Sequence, residues 1–275
     1  MQIASQWDCL RQNLGEWRGS FTQLASTGAI KSDTPSVLTL EENSDRGTIR
    51  LVLKRWPAGK PLNTMTLEFG PPGPAPGTTF FESGAFSQGP AQWSPGRFSS
   101  EMALASPARR LRLVPIFESD TLNRITVIRE CRAGSEAPER KALSVTDLVG
   151  TWQGEAVRRF PDLQRSPETF ATKTYVRATG PDALEFGPDV MIADAELPQT
   201  ARVDSAHIRL AAGRELMLLP AGGYVGYPQK MQYGQPFALE VGWHLASDRR
   251  ERLIRRYGKG GEWLDLTWIQ ETRTI

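Results

Sequence analysis

The chain has 275 residues, 39% of them hydrophobic and 23% charged, which are the proportions of a globular protein. Its net charge of +2 speaks against a nucleic-acid or membrane surface as partner, and no apolar run approaches the roughly 20 residues of a membrane-spanning helix. No signal peptide is visible, and reduced thiols at Cys9 and Cys131 are preferred over a disulfide. These features predict a cytoplasmic protein of one or two domains.

A short helix is the first predicted element. Ser5 can cap the segment SQWDCLRQNL, in which Trp7, Leu10 and Leu14 share one face. The segment LGEWRGSF then begins a strand in which glycines stand two residues before and two residues after Trp17. The chain thus opens with a brief helix followed by a G-x-W-x-G strand.

The rest of the first half consists of predicted strands. In TIRLVLKRW, residues 48–56, Ile49, Leu51 and Leu53 alternate with polar residues, as in a half-buried strand. SVLTLE, TMTLEF and RITVIRE are similar short runs, rich in β-branched residues. The glycine- and proline-rich segment GPPGPAPG, residues 70–77, is predicted to be a loop.

The second half repeats the first at a spacing of about 140 residues. Ser144 begins a second short helix, SVTDLV, and Trp152 aligns with Trp17. We therefore predict two copies of one domain, residues 1–137 and 138–275. Four blocks recur in the same order: LGEWRGSF with LVGTWQGEA, FFESGAFSQGP with LLPAGGYVGYP, RRLRLVPIF with RRERLIRRY, and LNRITVIRECR with WLDLTWIQETR.

This order of elements is typical of a calycin-type barrel. In such a barrel the tryptophan closes the bottom of the core, and an arginine from the last strand can lie across its ring. Arg129 shares strand parity with apolar residues of its segment, so it is the predicted partner of Trp17. Gln270 stands at that position in the second copy, so Trp152 is predicted to lack an equivalent arginine.

The G-x-W openings resemble the lipocalin and fatty-acid-binding superfamily. The combination of QWDCLRQNLGEWRGSFTQL, FFESGAFSQGP, RRLRLV and ITVIRE is similar to a cyanobacterial family of two-barrel proteins of unknown function. That family is grouped in the calycin superfamily beside the phycobiliprotein chromophore lyases. The resemblance implies an all-β fold, a tandem duplication of a lipocalin-like antiparallel barrel with a short N-terminal helix in each copy.

Catalytic and metal-binding motifs are scarce. The chain has two histidines, no H-x-x-x-H or C-x-x-C spacing and no G-x-S-x-G elbow, so neither a catalytic residue nor a metal site is predicted. GTWQGEA also resembles the opening of nitrobindin-like haem barrels, whose ligand histidine lies near the C-terminus. The stretch TWIQETR has no histidine, so His244 is interpreted as an ordinary hydrogen-bonded residue.

Two arginine-bearing segments allow two interpretations. Arg110 and Arg112 share one strand face, and Arg250 and Arg252 repeat the pattern in the second copy. If these side chains point outward, they form a solvated sheet surface. If they point into a barrel, their burial requires a partner, and a ligand carboxylate is suited to it.

The aromatic residues near the repeated glycines allow two interpretations: they belong to a hairpin or bulged strand at a barrel mouth, or they bind a flat ligand there. The second copy is the preferred site because its aromatic and arginine residues could approach one mouth. The candidate ligand-binding residues are Tyr224, Trp243, Arg250, Arg252, Tyr257, Phe86, Arg110 and Arg112, and the structural residues are Trp17, Arg129 and Trp152.

Three functional hypotheses follow. The first is a binding protein for a small hydrophobic molecule that carries a carboxylate, such as a bilin or another tetrapyrrole, or a fatty acid. The second is a lyase-like enzyme or chaperone that brings a chromophore to a phycobiliprotein subunit, which rests on analogy of fold. The third is a non-catalytic scaffold whose barrels are filled by their own side chains. A ligand-sized pocket separates the first two hypotheses from the third.

Overall fold

The computed structural model of the protein describes residues 4–188, 198–211 and 213–274. The chain divides into two compact units, and two short stretches of the first half, residues 91–99 and 116–123, belong to the second of them. The N-terminal unit consists of Met1–Pro90, Ser100–Pro115 and Arg124–Pro138, and the C-terminal unit consists of Ala91–Ser99, Ile116–Asn123 and Glu139–Ile275.

The described residues of the first half form one helix and ten strands. Helix α1 (Gln6–Arg11) begins after Ser5, whose Oγ accepts a hydrogen bond from the backbone N–H of Asp8 at 3.1 Å, so the predicted cap is confirmed. The strands are β1 (Gly15–Ala25), β2 (Ile30–Asn43), β3 (Thr48–Arg55), β4 (Asn63–Phe69), β5 (Thr78–Phe80), β6 (Phe86–Gln88), β7 (Phe98–Ser99), β8 (Glu101–Ala105), β9 (Arg109–Glu118) and β10 (Thr121–Arg132).

The strands of the first half form one antiparallel sheet that curls into a half-barrel. Their order is β4-β3-β2-β1-β10-β9-β8-β6-β5, with β7 paired to β9, so β4 and β5 are the two ends of the sheet. In the described part of the chain these ends form no ladder with each other. The loop at residues 70–77 contains four prolines, which have no N–H to donate to a ladder. This segment therefore cannot supply the strand that would close the barrel.

The described residues of the second half form a closed barrel of ten antiparallel strands in sequence order, in which β20 pairs back with β11. The predicted all-β class, with a short helix opening each half, is confirmed, although among the described residues the sheet of the first half does not close. The elements are α2 (Val145–Leu148), β11 (Gly150–Arg159), β12 (Phe170–Gly180), β13 (Ala183–Phe186), β14 (Gln199–Asp204), β15 (His207–Leu210), β16 (Arg214–Leu218), the 3₁₀ helix Pro220–Gly222, β17 (Gly223–Pro228), β18 (Phe237–His244), β19 (Arg249–Tyr257) and β20 (Trp263–Thr274).

The repeated G-x-W-x-G motif has the same physical basis in both halves. Gly15 and Gly150 have φ angles of +107° and +142°, in a region that residues with a Cβ rarely adopt. A Cβ at Gly19 or Gly154 would lie 1.8 Å from a backbone carbonyl oxygen of the last strand of its half. The first glycine therefore permits the turn into the strand, and the second permits the close approach of the last strand.

Each half has its own apolar core around the tryptophan of the motif. Trp17 and Trp152 are both fully buried. Trp17 packs in a cluster with Leu38, Leu53 and Phe80, whereas leucines, valines and isoleucines from β12 to β16 fill much of the second barrel. Among the described residues, no helix has the length and apolarity that a membrane crossing requires.

Candidate functional site

Two arginines lie over the Trp17 ring in the N-terminal unit. The guanidinium carbons of Arg110 and Arg132 are 4.5 and 4.3 Å from the centre of the indole ring. The indole Nε1 donates a hydrogen bond to the carbonyl oxygen of Asn13 at 2.9 Å. Trp17 is thereby held by cation–π contacts as well as by its buried area.

The prediction that Arg129 contacts Trp17 is wrong. In the β1–β10 ladder Trp17 lies directly opposite Arg132, and Arg129 lies opposite Ser20. Directly opposed residues project to the same face and neighbouring residues alternate, so Arg129 points to the face opposite Trp17. There its Nη2 donates hydrogen bonds to Ser20 Oγ and Thr22 Oγ1 at 3.1 and 3.0 Å.

The same arrangement recurs around Trp152 in the C-terminal unit. The guanidinium carbons of Arg250 and Arg273 are 4.3 and 4.7 Å from its ring centre, and Nε1 donates to the carbonyl oxygen of Leu148 at 3.0 Å. The prediction that Trp152 lacks an arginine from the last strand is therefore wrong. Arg273, not Gln270, lies opposite Trp152 in the β11–β20 ladder, so it shares the face of the ring.

A buried glutamate joins the two arginines of β9. Glu130 Oε2 accepts hydrogen bonds from the Nε atoms of Arg110 and Arg112 at 2.7 and 3.0 Å, and Oε1 accepts from Arg112 Nη2 at 2.9 Å. Burial alone would raise the pKa of the Glu130 carboxyl, but the charges of the two arginines outweigh it and hold the pKa at about 2. Glu130 is therefore an ionised, buried anchor for both guanidinium groups.

The second barrel contains an equivalent network with more members. Glu271 accepts from Arg250 Nε at 2.6 Å and from Arg252 Nη1 at 3.4 Å. Glu240 accepts from Arg252 Nε at 2.6 Å and from the Tyr224 hydroxyl at 2.7 Å, and it also pairs with Arg214. Each carboxylate thus has several donors inside the barrel.

The N-terminal unit contains a cavity of about 460 Å³, within the usual range of small-molecule sites. Strands β1 to β4 contribute apolar side chains to its wall, and β8, β9 and Asn13 contribute polar ones. Met65 and Leu67 on the edge strand β4 are exposed and line the cavity, so it opens to solvent along that strand. The lining residues are Leu10, Asn13, Phe21, Leu38, Leu40, Leu51, Leu53, Met65, Leu67, Phe69, Pro74, Ala75, Phe80, Phe86, Gln88, Glu101, Arg110 and Arg112.

The polar part of this wall holds an incompletely paired guanidinium. Arg112 Nη1 donates to Glu101 Oε1 at 2.7 Å, and Arg110 Nη1 donates to Asn13 Oδ1 at 2.8 Å. Arg110 is only 3% exposed, yet its Nη2 has no hydrogen-bond partner in the described part of the protein. Burial is the main cause that lowers the pKa of Arg110. Arg110, which lines the cavity, therefore carries a buried donor that has no acceptor in the described part of the protein.

The structure separates the predicted ligand-binding residues into three groups. Phe86, Arg110 and Arg112 line the cavity of the N-terminal unit. Tyr224, Arg250 and Arg252 lie in the interior of the closed barrel, where Tyr224 is opposite Gly242 and Gly242 is opposite Arg252.

Trp243 and Tyr257 form the third group, on the opposite face of the barrel wall. Trp243 neighbours Gly242 in β18 and therefore projects away from Tyr224. Its Nε1 donates to the carbonyl oxygen of Ala221 at 3.0 Å. Tyr257 stacks on Phe237 with ring centres 4.8 Å apart. The predicted approach of Trp243 to a common mouth with Tyr224 is wrong because strand parity places the two rings on different faces.

Three polar residues of the site, Asn13, Glu101 and Glu130, were missed by sequence reasoning. Glu130 recurs as Glu271 within the aligned blocks ITVIRECR and LTWIQETR, so the recurrence of an acid beside the arginine strands was a usable signal. Asn13 has no such signal, since it contributes through the turn that follows α1.

Neither histidine belongs to a metal-binding cluster. Across the described ranges, no group of three or more His, Cys, Asp or Glu side chains is arranged to hold a metal ion. His244 packs edge-on against Trp152, with ring centres 5.1 Å apart. Burial, and then the charge of Arg250, lower the pKa of His244 to about 3, so the imidazole is neutral.

Comparisons with known proteins agree with the duplicated architecture. Residues 3–135 match the family model described as Domain of unknown function (DUF3598), N-terminal. Residues 139–274 match the model described as Biogenesis factor required for ATP synthase 1, C-terminal domain. A crystal structure of a DUF3598-family protein of unknown function from Nostoc punctiforme is similar over 99% of this chain and 100% of that chain, with 35% identity and a TM-score of 0.89.

Other solved structures are much more distant. A putative outer membrane protein from Bacteroides fragilis has 11% identity and a TM-score of 0.25, over 98% of this chain and 100% of that one. An S-type phycobiliprotein lyase from Guillardia theta has 8% identity and a TM-score of 0.20, over 99% of this chain and 94% of that one. Such scores carry no functional information. No curated protein matches the chain.

Proposed function

The chain belongs to the DUF3598 family, and we propose that its N-terminal unit binds a small hydrophobic molecule that carries a carboxylate. The apolar body of this ligand lies among the side chains of β1 to β4. Its carboxylate lies at Arg110 and Arg112. The proposal places the site in the open half-barrel, whereas the sequence had favoured the second copy.

The observation that carries the proposal is an apolar cavity lined by Arg110, whose buried Nη2 has no hydrogen-bond partner among the described residues. A buried donor without an acceptor costs about 1–3 kcal/mol, and more when the group is charged. A carboxylate oxygen supplies the acceptor in a charge-assisted hydrogen bond. Apolar burial adds about 0.8 kcal/mol for each methylene group of the ligand. Affinity then depends on both parts of the ligand.

Fatty acids and bilins both combine an apolar body with a carboxylate. The apolar side chains of the cavity suit either class, and the exposed edge at Met65 and Leu67 gives an entry path. A long hydrocarbon chain needs no further polar partners, whereas a tetrapyrrole brings ring nitrogens that require them. We therefore place the fatty acid first and the bilin second.

Calorimetric titration with palmitate and with biliverdin tests the proposal. Ala75 lines the cavity, so Ala75→Trp should fill it and weaken binding by about tenfold or more. Ala58→Trp is the matched control, because Ala58 is exposed and lies outside the lining. The proposal fails if neither compound binds the parent protein, or if both tryptophan variants bind as the parent does.

A second candidate function concerns the C-terminal unit. Its match to the C-terminal domain of a biogenesis factor for ATP synthase, together with a barrel interior occupied by ion pairs, favours a role in assembly through protein contacts. Size-exclusion chromatography with purified ATP synthase subunits tests this role. Co-elution supports it, and separate elution at micromolar concentrations rules it out.

A further inference from the structure

We propose that Glu101 is the internal counterion that the ligand's carboxylate replaces at Arg112, and that Glu101 thereby restricts the site to acids with a long apolar body. This inference rests on the proposed function. It assigns a selective role to a charged residue that lines the cavity and that hydrogen-bonds to the guanidinium where the ligand would bind.

In the second barrel, Glu240 is the residue equivalent to Glu101. Ala103 lies opposite Phe86, and Gly242 lies opposite Tyr224. Because Phe86 and Tyr224 are aligned in the duplication, Glu101 and Glu240, each two residues earlier in its strand, are equivalent. Both accept a hydrogen bond from the third arginine of the following strand, Arg112 or Arg252.

The two glutamates differ in how firmly they are held. Glu240 also accepts from the Tyr224 hydroxyl and pairs with Arg214, and its side chain is 2% exposed. Among the described residues the Glu101 carboxylate hydrogen-bonds only to Arg112, and its side chain is 25% exposed.

Amino-acid differences between the two copies explain why Glu101 has fewer hydrogen-bond donors than Glu240. Phe86 replaces Tyr224 and has no hydroxyl to donate. In the register that pairs Leu218 with Tyr224 and Phe80 with Phe86, Pro76 occupies the position of Arg214. Proline offers no donor at all. The N-terminal copy has therefore lost two of the three groups that fix the acid in the second barrel.

The charges around Arg112 determine which ligands can replace Glu101 there. Arg110 and Arg112 face the buried carboxylate of Glu130, which leaves one positive charge for Glu101 to neutralise. When a ligand carboxylate enters, Glu101 turns to solvent and one charge-assisted hydrogen bond replaces another. A small anion gains little from this exchange, whereas a long-chain acid gains the burial of its apolar body. An alcohol with the same chain cannot replace the charge.

Titration of Glu101→Gln with laurate and with dodecan-1-ol tests the inference. The variant keeps the shape of the side chain and removes the competing charge. We expect Glu101→Gln to bind laurate at least about tenfold more tightly than the parent protein does. The laurate carboxylate then no longer competes with a charged side chain for Arg112, and hydrogen bonds between charged groups are stronger than those to a neutral amide. The affinity of Glu101→Gln for dodecanol should stay within about twofold of the affinity of the parent protein. Glu240→Gln, the same change at the equivalent position, should leave laurate binding unchanged, and circular dichroism checks that both variants are folded.

The outcomes separate the two proposals. If the parent binds laurate but Glu101→Gln binds it equally or more weakly, the role of Glu101 is wrong and the binding function stands. An equal gain for laurate and dodecanol also overturns the role of Glu101, because it would reflect a wider cavity rather than a removed charge. If neither compound binds any variant, the binding function fails and the inference fails with it.

Discussion

Trp17 lies against the guanidinium group of Arg132, whose central carbon is 4.3 Å from the centre of the indole ring. The same guanidinium donates hydrogen bonds to the backbone carbonyls of Gln12, Leu14 and Pro107, at 3.0, 2.5 and 2.9 Å. Arg132 therefore joins the last strand of the first half to the turn that enters its first strand, and its charge faces the ring.

The first prediction compares two arginines of β10. Arg132→Met should lower the free energy of unfolding by about 2–4 kcal/mol, because it removes three charge-assisted hydrogen bonds and one cation–π contact. Arg129→Met should cost only about 1 kcal/mol, since Arg129 lies on the other face and is partly exposed. Urea denaturation measures both. Equal losses, or a larger loss for Arg129→Met, would contradict the placement of Arg132.

The second prediction concerns acid stability of the N-terminal unit. The pKa of Glu130 is about 2 in the folded protein against 4.5 as its ordinary value. Because the pKa of Glu130 is lower in the folded protein than in the unfolded chain, its ionised carboxylate stabilises the fold. This stabilisation is complete above pH 4.5 and is lost as the pH falls from 4.5 towards 2. Its size is on the order of 3 kcal/mol.

Glu130→Gln should remove that pH dependence and lower the stability at pH 7, because Arg110 and Arg112 lose their charged partner. Denaturation curves measured from pH 7 to pH 2 give the comparison. Glu41→Gln, at an exposed position, controls for the loss of one carboxylate. If the stability of the parent protein stays constant below pH 4.5, Glu130 is not the ionised, buried partner of Arg110 and Arg112.

The third prediction concerns His244 in the C-terminal unit. Its pKa is about 3 in the folded protein against an ordinary 6.5, mainly because it is buried and then because Arg250 is near. The unfolded chain therefore binds a proton that the folded protein does not between pH 6.5 and 3. The contribution of neutral His244 to the free energy of unfolding is complete above pH 6.5, and on the order of 5 kcal/mol of it is lost as the pH approaches 3.

His244→Phe should keep the ring contacts with Trp152 and Tyr224 and flatten the stability curve between pH 6.5 and 4.5. Glu130 does not titrate in that upper range, so the two effects can be separated. Chemical denaturation at half-unit steps of pH is the measurement. A variant that retains the slope of the parent would show that another group takes up the proton.

Much of the fold could be predicted because a duplicated sequence records the same physical constraint twice. The paired glycines around Trp17 and Trp152 are needed for a positive φ and for close strand contact in both halves. The openness of the first half could also have been anticipated, since the prolines of residues 70–77 cannot extend a ladder. The division into domains 1–137 and 138–275 stays a prediction, as residues 91–99 and 116–123 group with the C-terminal unit.

The candidate site was harder to predict because it depends on register. Strand parity correctly placed Arg110 and Arg112 on one face but could not say which face is inside. It led to the wrong partner for Trp17, since Val127 and Ile128 on opposite faces of β10 are both buried and parity with apolar residues therefore does not identify the face of the ring. The buried Glu130 and the partly exposed Glu101 set the charge around Arg110 and Arg112, and only the three-dimensional pairing shows which arginines they neutralise.

The most direct test of the binding function is a crystal structure of the protein with 12-bromododecanoate. The anomalous signal of bromine locates the end of the chain independently of the protein density. We predict the bromine near Met65 and Leu67 at the open edge, and a carboxylate oxygen about 3 Å from Arg110 Nη2. Bromine in the second barrel or on the surface, or an empty N-terminal cavity at saturating ligand, would contradict the proposed site.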